Sequence, residues 1–259
     1  MKNKLFMLLI IAVLTACAVP AKAVKENEMP GAASAETKEG WDDGQYYLNG
    51  EKLTSVLQKI DGKYYYFESD GKAAVNKLKT VKGKKYYFGK DGAAVTEQFK
   101  KVKDGKKKYT FYFGKTGAAY TAKKDKYAIT MKPFKIGKKT YGFDEKAHMV
   151  TGLWVVNGAK KDKVYSFKKK TGVCNTKVSK KLTKLAKAGK KSKTMYKDVL
   201  KKFGKPKKIR KSDGCNAFAG GKEKDYKDYN FRYPHLEVSI SQYTKTGVYR
   251  MNGVYTYDE

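Results

Sequence analysis

The apolar positions of this chain fall into three textures. The first is an uninterrupted apolar run, Leu5 to Leu14, set behind Lys2 and Lys4. It is too short to cross a bilayer as a helix, and a basic start followed by a short apolar block reads as an export signal over residues 1–23. Residues 24–40 hold Pro30, Gly31, Ser34 and several Ala and Glu, with no aromatic, so a disordered linker is expected. The second texture begins at Trp41, where short aromatic blocks alternate with glycine turns. The third begins after Cys174, where apolar residues first keep a helical spacing and then alternate.

The second texture is a repeat. Asp61-Gly62-Lys63-Tyr64-Tyr65-Tyr66-Phe67 is followed by Asp70-Gly71-Lys72-Ala73-Ala74. Lys82-Gly83-Lys84-Lys85-Tyr86-Tyr87-Phe88 is followed by Asp91-Gly92-Ala93-Ala94. A third unit runs from Asp104-Gly105 through Phe111-Tyr112-Phe113 to Thr116-Gly117-Ala118-Ala119. Looser units end at Phe143 and Phe167, and a half-unit, Gln45 to Gly50, opens the series. From phenylalanine to phenylalanine the steps are 21, 25, 30 and 24 residues. Asp-Gly and Lys-Gly suit tight hairpin turns, and aromatic runs suit a pleated surface. Each unit therefore reads as strand, turn, strand. Stacked hairpins can share an aromatic core, which makes a solenoid, so most of these rings are expected to be core.

The third texture predicts a small α+β domain over 176–259. Ser179 can cap a helix that presents Val178, Leu182 and Leu185 and ends at Gly189. Thr194 can cap a second, presenting Met195, Val199, Leu200 and Phe203 and ending at Gly204 with Pro206 beyond. Both sit inside a stretch, Lys180 to Lys211, with 15 basic residues and one acid. Three strands follow, Tyr229 to Tyr233, Leu236 to Tyr243 and Gly247 to Tyr257. The expected fold is mainly β: a solenoid of stacked β-hairpin repeats over 41–175, then two helices and a three-stranded antiparallel sheet.

The pattern Gly-Lys-x-Tyr-Tyr-Phe-x-x-Asp-Gly-x-Ala resembles the cell-wall-binding repeats of Gram-positive surface proteins, the family that includes choline-binding and glucan-binding modules. The resemblance implies a superhelix of hairpins, with ligand sites between successive hairpins where aromatic rings cage choline or stack on sugar. The ring positions it marks are Trp41, Tyr47, Tyr65, Tyr66, Tyr86, Tyr87, Tyr112, Tyr141, Trp154 and Tyr165. The chain departs from the family in its tryptophans. Trp41 and Trp154 are the only two, and the Trp of the family's Trp-Tyr-Tyr is replaced at Lys85-Tyr86-Tyr87 and Tyr64-Tyr65-Tyr66. A lysine beside a cage repels choline, although tyrosine can still hold a cation. Tyrosine with lysine suits cell-wall polysaccharide or teichoic acid better. Farther on, Thr194 to Pro206 resembles the helix and Gly-x-Pro segment of small bacterial lipoprotein domains related to the β-lactamase-inhibitor-protein fold. The stretch from Cys215-Asn216-Ala217-Phe218 to Phe231 resembles a domain of Firmicute surface lipoproteins. These likenesses imply a fold and a location, and leave an inhibitor or assembly role, with a protein partner, as an alternative.

Charge narrows the partners. A formal net charge of +33, nearly all of it lysine, favours polyanions. Nucleic acid is not expected, because arginine, which supplies bidentate base contacts, is nearly absent. Two cleavage readings stay open at the N-terminus. Leu14-Thr15-Ala16-Cys17 fits a lipobox, which would lipidate Cys17 and give the only membrane attachment, and Pro20-Ala21-Lys22-Ala23 fits an ordinary signal-peptidase site. Both readings export the chain, secreted and retained at the wall or lipid-anchored outside the membrane. Cys174 and Cys215 remain as a candidate disulfide in a compartment that permits one. Catalysis has little to build on. His148 and His235 read as surface residues, no metal spacing is present, and no cofactor motif appears. The enzyme alternative is Cys215 as nucleophile, with His235 as base and Asp213 or Asp225 to orient it. The chain is expected to be a non-catalytic envelope protein.

Overall fold

A computed structural model describes residues 38–124, 130–156, 162–187, 189–213 and 225–257. The expected export signal, Cys17 and Cys215 lie outside the described residues.

A three-stranded antiparallel sheet comes first, from β1 (Gly40–Asp42), β2 (Gln45–Leu48) and β3 (Glu51–Lys52). Five two-stranded hairpins follow. They are β4 (Val56–Ile60) with β5 (Lys63–Phe67), β6 (Lys77–Val81) with β7 (Lys84–Phe88), β8 (Gln98–Asp104) with β9 (Lys107–Phe113), β10 (Met131–Ile136) with β11 (Lys139–Asp144), and β12 (Gly152–Val156) with β13 (Lys163–Phe167). The turn chemistry is as the residues dictate. Asp61 and Gly62 have φ of 48° and 81°, and Lys82 and Gly83 have 48° and 74°. Both central residues are left-handed, the turn whose twist matches that of the flanking strands.

Each hairpin ends on a buried phenylalanine, and the chain then folds back on it. Backbone bridges join Phe67 to Ala73, Phe88 to Ala94, Phe113 to Ala119, Phe143 to Met149 and Phe167 to Cys174. From the second hairpin on, the same residue also donates to the preceding one. Ala94 N–H reaches Tyr64 O at 2.7 Å, Ala119 reaches Lys85 O at 2.8 Å, Met149 reaches Thr110 O at 2.7 Å, and Cys174 reaches Thr140 O at 2.8 Å. Each acceptor lies three residues before the buried phenylalanine of the hairpin it belongs to. This bond and the ring packing link neighbours, as a lone hairpin needs. The residue four after the phenylalanine takes a positive φ in the first four hairpins, at Gly71, Gly92, Gly117 and Ala147, which favours glycine there. Gly117 has φ of 76°, and a Cβ there would lie 3.0 Å from Ala94 Cβ on the preceding hairpin.

The C-terminal region holds α1 (Thr176–Leu185), α2 (Met195–Phe203) and a five-stranded antiparallel sheet. The sheet order is β14 (Lys191–Ser192), β18 (Tyr249–Thr256), β17 (Leu236–Tyr243), β16 (Tyr226–Tyr233) and β15 (Lys208–Asp213). Three of these strands were expected, with slightly different ends. The two edge strands were not, because β15 and β14 lie in the lysine-rich run, and β15 is exposed at nearly every position. Charged edges of this kind carry no alternating apolar signal.

One core serves this region. Leu182, Leu185, Met195, Val199 and Phe203 from the helices pack on Phe231, Leu236, Val238, Ile240 and Met251 of the sheet. Val155 and Val164 of the last hairpin are buried in the same cluster. The packing therefore runs across the expected boundary at 175/176. The start of α1 is part of that seam. Its cap is Asn175, four residues before the expected Ser179, and the Asn175 side chain accepts from Val178 N–H at 3.1 Å. Ser179 is buried inside the helix, where its hydroxyl accepts from Ser166 N–H at 2.9 Å and donates to Asn175 O at 2.8 Å. By contrast α2 starts after Thr194 and stops at Gly204, φ 85°, the bounds the sequence pattern predicts, but the Thr194 hydroxyl donates to Asp198 Oδ2 at 3.2 Å and makes no cap bond to the backbone.

Candidate functional site

The ring positions marked by the resemblance separate by burial and by what covers them. Tyr86 and Trp154 are buried, at 7% and 4% exposure, so they are core and offer no face to a ligand. Burial also raises the Tyr86 hydroxyl above its ordinary pKa. Trp154 donates from Nε1 to Thr151 O at 3.0 Å and is covered by His235, whose ring stacks on it at 4.1 Å. His235 thus packs on the last hairpin, where a surface position was expected. Tyr165 packs on the buried Phe167 at 5.9 Å, and burial raises its pKa. At the start of the array Trp41 is 45% exposed, with Tyr46, Tyr65 and Phe67 against its other edges. Tyr47 donates to Gln45 Oε1 at 3.0 Å, and Lys38 lies over its ring at 4.5 Å.

Tyr66, Tyr87 and Tyr112 occupy one repeat position, immediately before the buried phenylalanine. The first two are capped by the next hairpin. Lys79 Nζ sits 5.0 Å from the Tyr66 ring centre, and Lys100 Nζ sits 4.5 Å from that of Tyr87. Both pairs are cation–π contacts made by the protein's own ammonium groups. Lys79 is also held by Glu68 at 2.7 Å, and this hydrogen bond keeps the Glu68 carboxyl below its usual range.

The third junction differs. Cross-strand register aligns Phe134 with Tyr141 in the way that Lys79 aligns with Tyr86 and Lys100 with Phe111. An aromatic ring thus stands where the earlier hairpins carry lysine. Phe134 stacks on Tyr120 at 4.5 Å, Tyr120 meets Tyr112 at 5.0 Å, and Phe99 touches both Tyr112 and Tyr141 at 4.9 and 4.7 Å. A cavity of about 420 Å³ opens beside Tyr112 and Tyr120, rimmed by Lys84, Lys115 and Glu97. Burial, then Tyr120 and the Glu97 carboxylate, push the Tyr112 hydroxyl up in pKa. Of the marked residues, Tyr112 and Tyr141 belong to this cluster. Phe99, Tyr120 and Phe134 were missed. Their signal was available: Tyr120 stands where the first two units have Ala74 and Val95.

Deeper in the array a polar chain crosses three hairpins. The Lys85 ammonium donates to the Asp104 carboxylate, and Asp104 Oδ2 lies 2.8 Å from His148 Nε2. His148 is buried, not on the surface as expected, stacked on Tyr109 at 3.6 Å and edge-on to Phe111. Burial alone would raise the pKa of Asp104, but the hydrogen bonds from Lys85 and His148 outweigh it and hold the carboxyl below its usual range. Among the described residues no group of three or more His, Cys, Asp or Glu is placed to hold a metal. Cys174 is a buried thiol 3.4 Å from Ser179 Oγ, and Cys215, its expected disulfide partner, lies outside the described residues.

Residues 57–73 and 76–94 match a family model described as a putative cell wall binding repeat. Among solved structures the chain is similar to choline binding protein F from Streptococcus pneumoniae, at 24% identity over 54% of this chain and 45% of that one, with a TM-score of 0.38. The same protein in the presence of a peptidoglycan analogue, a tetrasaccharide-pentapeptide, is similar at 28% identity over 53% and 41%, with a TM-score of 0.38. The cell wall endolysin from phage Cp-1, complexed with choline, is similar at 21% identity over 46% and 30%, with a TM-score of 0.34. The chain spans less than half the length of each of these structures. No curated protein sequence matches it.

Proposed function

We propose that this is a non-catalytic, extracellular protein held at the cell wall by its hairpin repeats, with wall glycan or teichoic acid seated in the cleft beside Tyr112 of the third hairpin and Tyr120 of the segment after it, where Lys84 of the second hairpin also lines the cleft. The observation that carries the reading is the contrast between junctions. Tyr66 and Tyr87 are each covered by a lysine of the same chain, whereas Tyr112 and Tyr120 flank an open cavity. A quaternary ammonium such as choline would have to displace a tethered ammonium at the first two junctions. At the third, the rings of Tyr112 and Tyr120 beside the cavity suit the C–H faces of a sugar, and Lys84 and Lys115 on the rim suit phosphate or acidic sugar groups. The family match over the first two full hairpins supports the wall setting, and the bond repeated from hairpin to hairpin supports a solenoid.

The test is retention of the full chain on purified walls, with and without teichoic acid, across a salt series. Retention is expected, and Tyr112→Ala with Tyr120→Ala should reduce it about tenfold, the loss of one to two stacking contacts. A steep salt dependence assigns the main part to lysine and phosphate, and a shallow one to stacking on glycan. No retention on either wall at moderate salt overturns the proposal.

A further inference from the structure

The chain has 58 basic residues, and only Arg210, Arg232 and Arg250 are arginine. All three lie in the C-terminal sheet, on β15, β16 and β18. They also share one face. The inner face carries the buried Phe231, Val238, Ile240 and Met251, and side chains alternate along a strand. Cross-strand partners share a face. The register joins Lys208, Arg232, Glu237 and Tyr255 in one outer row, Arg210, Asn230 and Ser239 in the next, and Ser212, Asp228, Ser241, Arg250 and Lys191 in the third.

Arg232 is committed within this face, donating to Glu237 Oε2 at 2.6 Å and lying 4.6 Å from the Tyr257 ring centre. Arg210 and Arg250 are exposed and make no ion pair or hydrogen bond among the described residues. The strip between them is built from neutral hydrogen-bonding groups. A bulge between Ser239 and Ile240 leaves Asn252 as an extra residue on β18, and its Nδ2 reaches Ser241 Oγ at 2.7 Å and Ser239 Oγ at 3.4 Å. Ser241 donates to Asp228. In the middle row, between Arg210 and Ser239, the Asn230 Oδ1 is buried without a hydrogen-bond partner. A bulge re-aims the side chain it carries, and a buried acceptor left open calls for a donor from outside the sheet.

We infer that the outer face of the C-terminal sheet is a second binding surface, separate from the repeats, for a linear polyol-phosphate chain of the wall. The inference rests on the envelope setting proposed above. Lysine serves everywhere else in this chain that positive charge alone is needed. Arginine differs by its planar fork, which holds a phosphate through two parallel N–H bonds. The unpaired forks stand three strands apart and one row offset, about 16 Å between their Cα atoms from strand spacing and rise. One small anion reaches one fork, whereas a chain with successive phosphates reaches both. Its hydroxyls then meet Asn230, Ser239, Ser241 and Asn252. The positive groups Lys191, Lys208, Arg210 and Arg250 outnumber Asp228, the one acid here not paired to a cation.

The experiment titrates purified poly(glycerol phosphate) into the full chain and into three variants: R210K with R250K, Lys84→Gln with Lys115→Gln, and Tyr112→Ala with Tyr120→Ala. The first pair leaves net charge unchanged. We expect it to weaken binding about tenfold, the worth of two forks reduced to point charges, with an unchanged melting temperature. The variants in the repeats should keep most of the affinity. Equal affinity of R210K/R250K and the unsubstituted chain overturns the inference, since charge alone would then suffice. So does loss confined to the Tyr112/Tyr120 or Lys84/Lys115 variants, which places the polymer on the repeats and leaves the wall proposal standing. Inorganic phosphate, polyglutamate or phosphatidylglycerol vesicles competing as well as the polymer, phosphate for phosphate or carboxylate, would also overturn it. If the chain fails to bind walls at all yet R210K/R250K still weakens poly(glycerol phosphate), this surface survives and the repeat proposal falls.

Discussion

A hairpin in the repeats buries one or two phenylalanines and a few neighbours, and borrows the rest of its core from the hairpins beside it. In the C-terminal region two helices and five strands close around a single cluster that also takes in Val155 and Val164. The repeats therefore hold together through contacts about one period apart in sequence. The C-terminal core holds together through residues as distant as Val155 and Met251. Local, nearest-neighbour stability lets one hairpin be altered without dissolving the next but one. A shared core does not.

The largest expected effects test that difference directly. Phe113→Ala removes a fully buried ring and should cost about 3–5 kcal/mol. Hydrogen exchange should quicken in β8 to β11 while the amides of β16 to β18 keep their protection. Phe231→Ala should cost a similar amount and do the reverse, also loosening β12 and β13. If both substitutions speed exchange everywhere, the two regions share one cooperative unit and the comparison breaks.

A pair of glycine substitutions is next in size. Gly117→Ala combines a left-handed backbone with a Cβ 3.0 Å from the preceding hairpin and should cost about 2 kcal/mol or more. Gly105→Ala has a φ of 62° but open space around its Cβ, so it should cost about 1 kcal/mol for strain alone. Denaturant midpoints that do not separate the two would remove the role given to hairpin-to-hairpin contact.

Asp104 ties three hairpins, and its loss should be felt through pH. Its folded-state pKa is depressed, so its contribution is full above the unfolded carboxylate value near 4 and is lost as pH falls through the lower folded value. Asp104→Asn should remove about 1 kcal/mol at neutral pH and flatten the acid limb of stability below about pH 4. An unchanged acid limb would show that Lys85 and His148 do not depend on it.

The smallest effect is the most specific. Lys79→Met and Lys100→Met should change stability by less than about 1 kcal/mol, because both lysines lie near the surface. They should also expose the Tyr66 and Tyr87 faces, so that tetramethylammonium shifts the tyrosine ring resonances of the variant and not those of the unsubstituted chain. Equal shifts in both would mean that the lysines do not block these rings.

Much of the repeat architecture was legible because its signals are local. Asp61-Gly62 and Lys82-Gly83 form the turns their residue types demand, and the Phe-to-Gly spacing marks the chain reversal that brings Ala94 and Ala119 back to the ladder. Helix α2 was legible in its bounds, since apolar spacing and the glycine stop agree, although the Thr194 hydroxyl bonds Asp198 and does not cap the backbone. Strand β15 was not, because an exposed edge of Lys, Arg and Ser has no pattern to read. Nor was the cap of α1. Ser179 has the right chemistry for a cap, but its hydroxyl is needed by Ser166 on the last hairpin, and Asn175 takes the end. The candidate site was half legible: Tyr112 and Tyr141 were marked, but so were the buried Tyr86 and Trp154, since an aromatic residue type does not say which way it faces.

The sequence by itself determined the hairpins, their turns, the phenylalanine spine and the concentration of charge, because each follows from residues within a few positions of one another. Only the tertiary structure decided which rings are free. Whether a lysine or a phenylalanine from the next hairpin lies over a tyrosine depends on how hairpins 21 to 30 residues apart dock. It likewise took the register of β15 to β18 to bring three scattered arginines onto one face. Period, propensity and capping act along the chain, whereas occlusion and convergence arise between elements, and a site is made of the second kind.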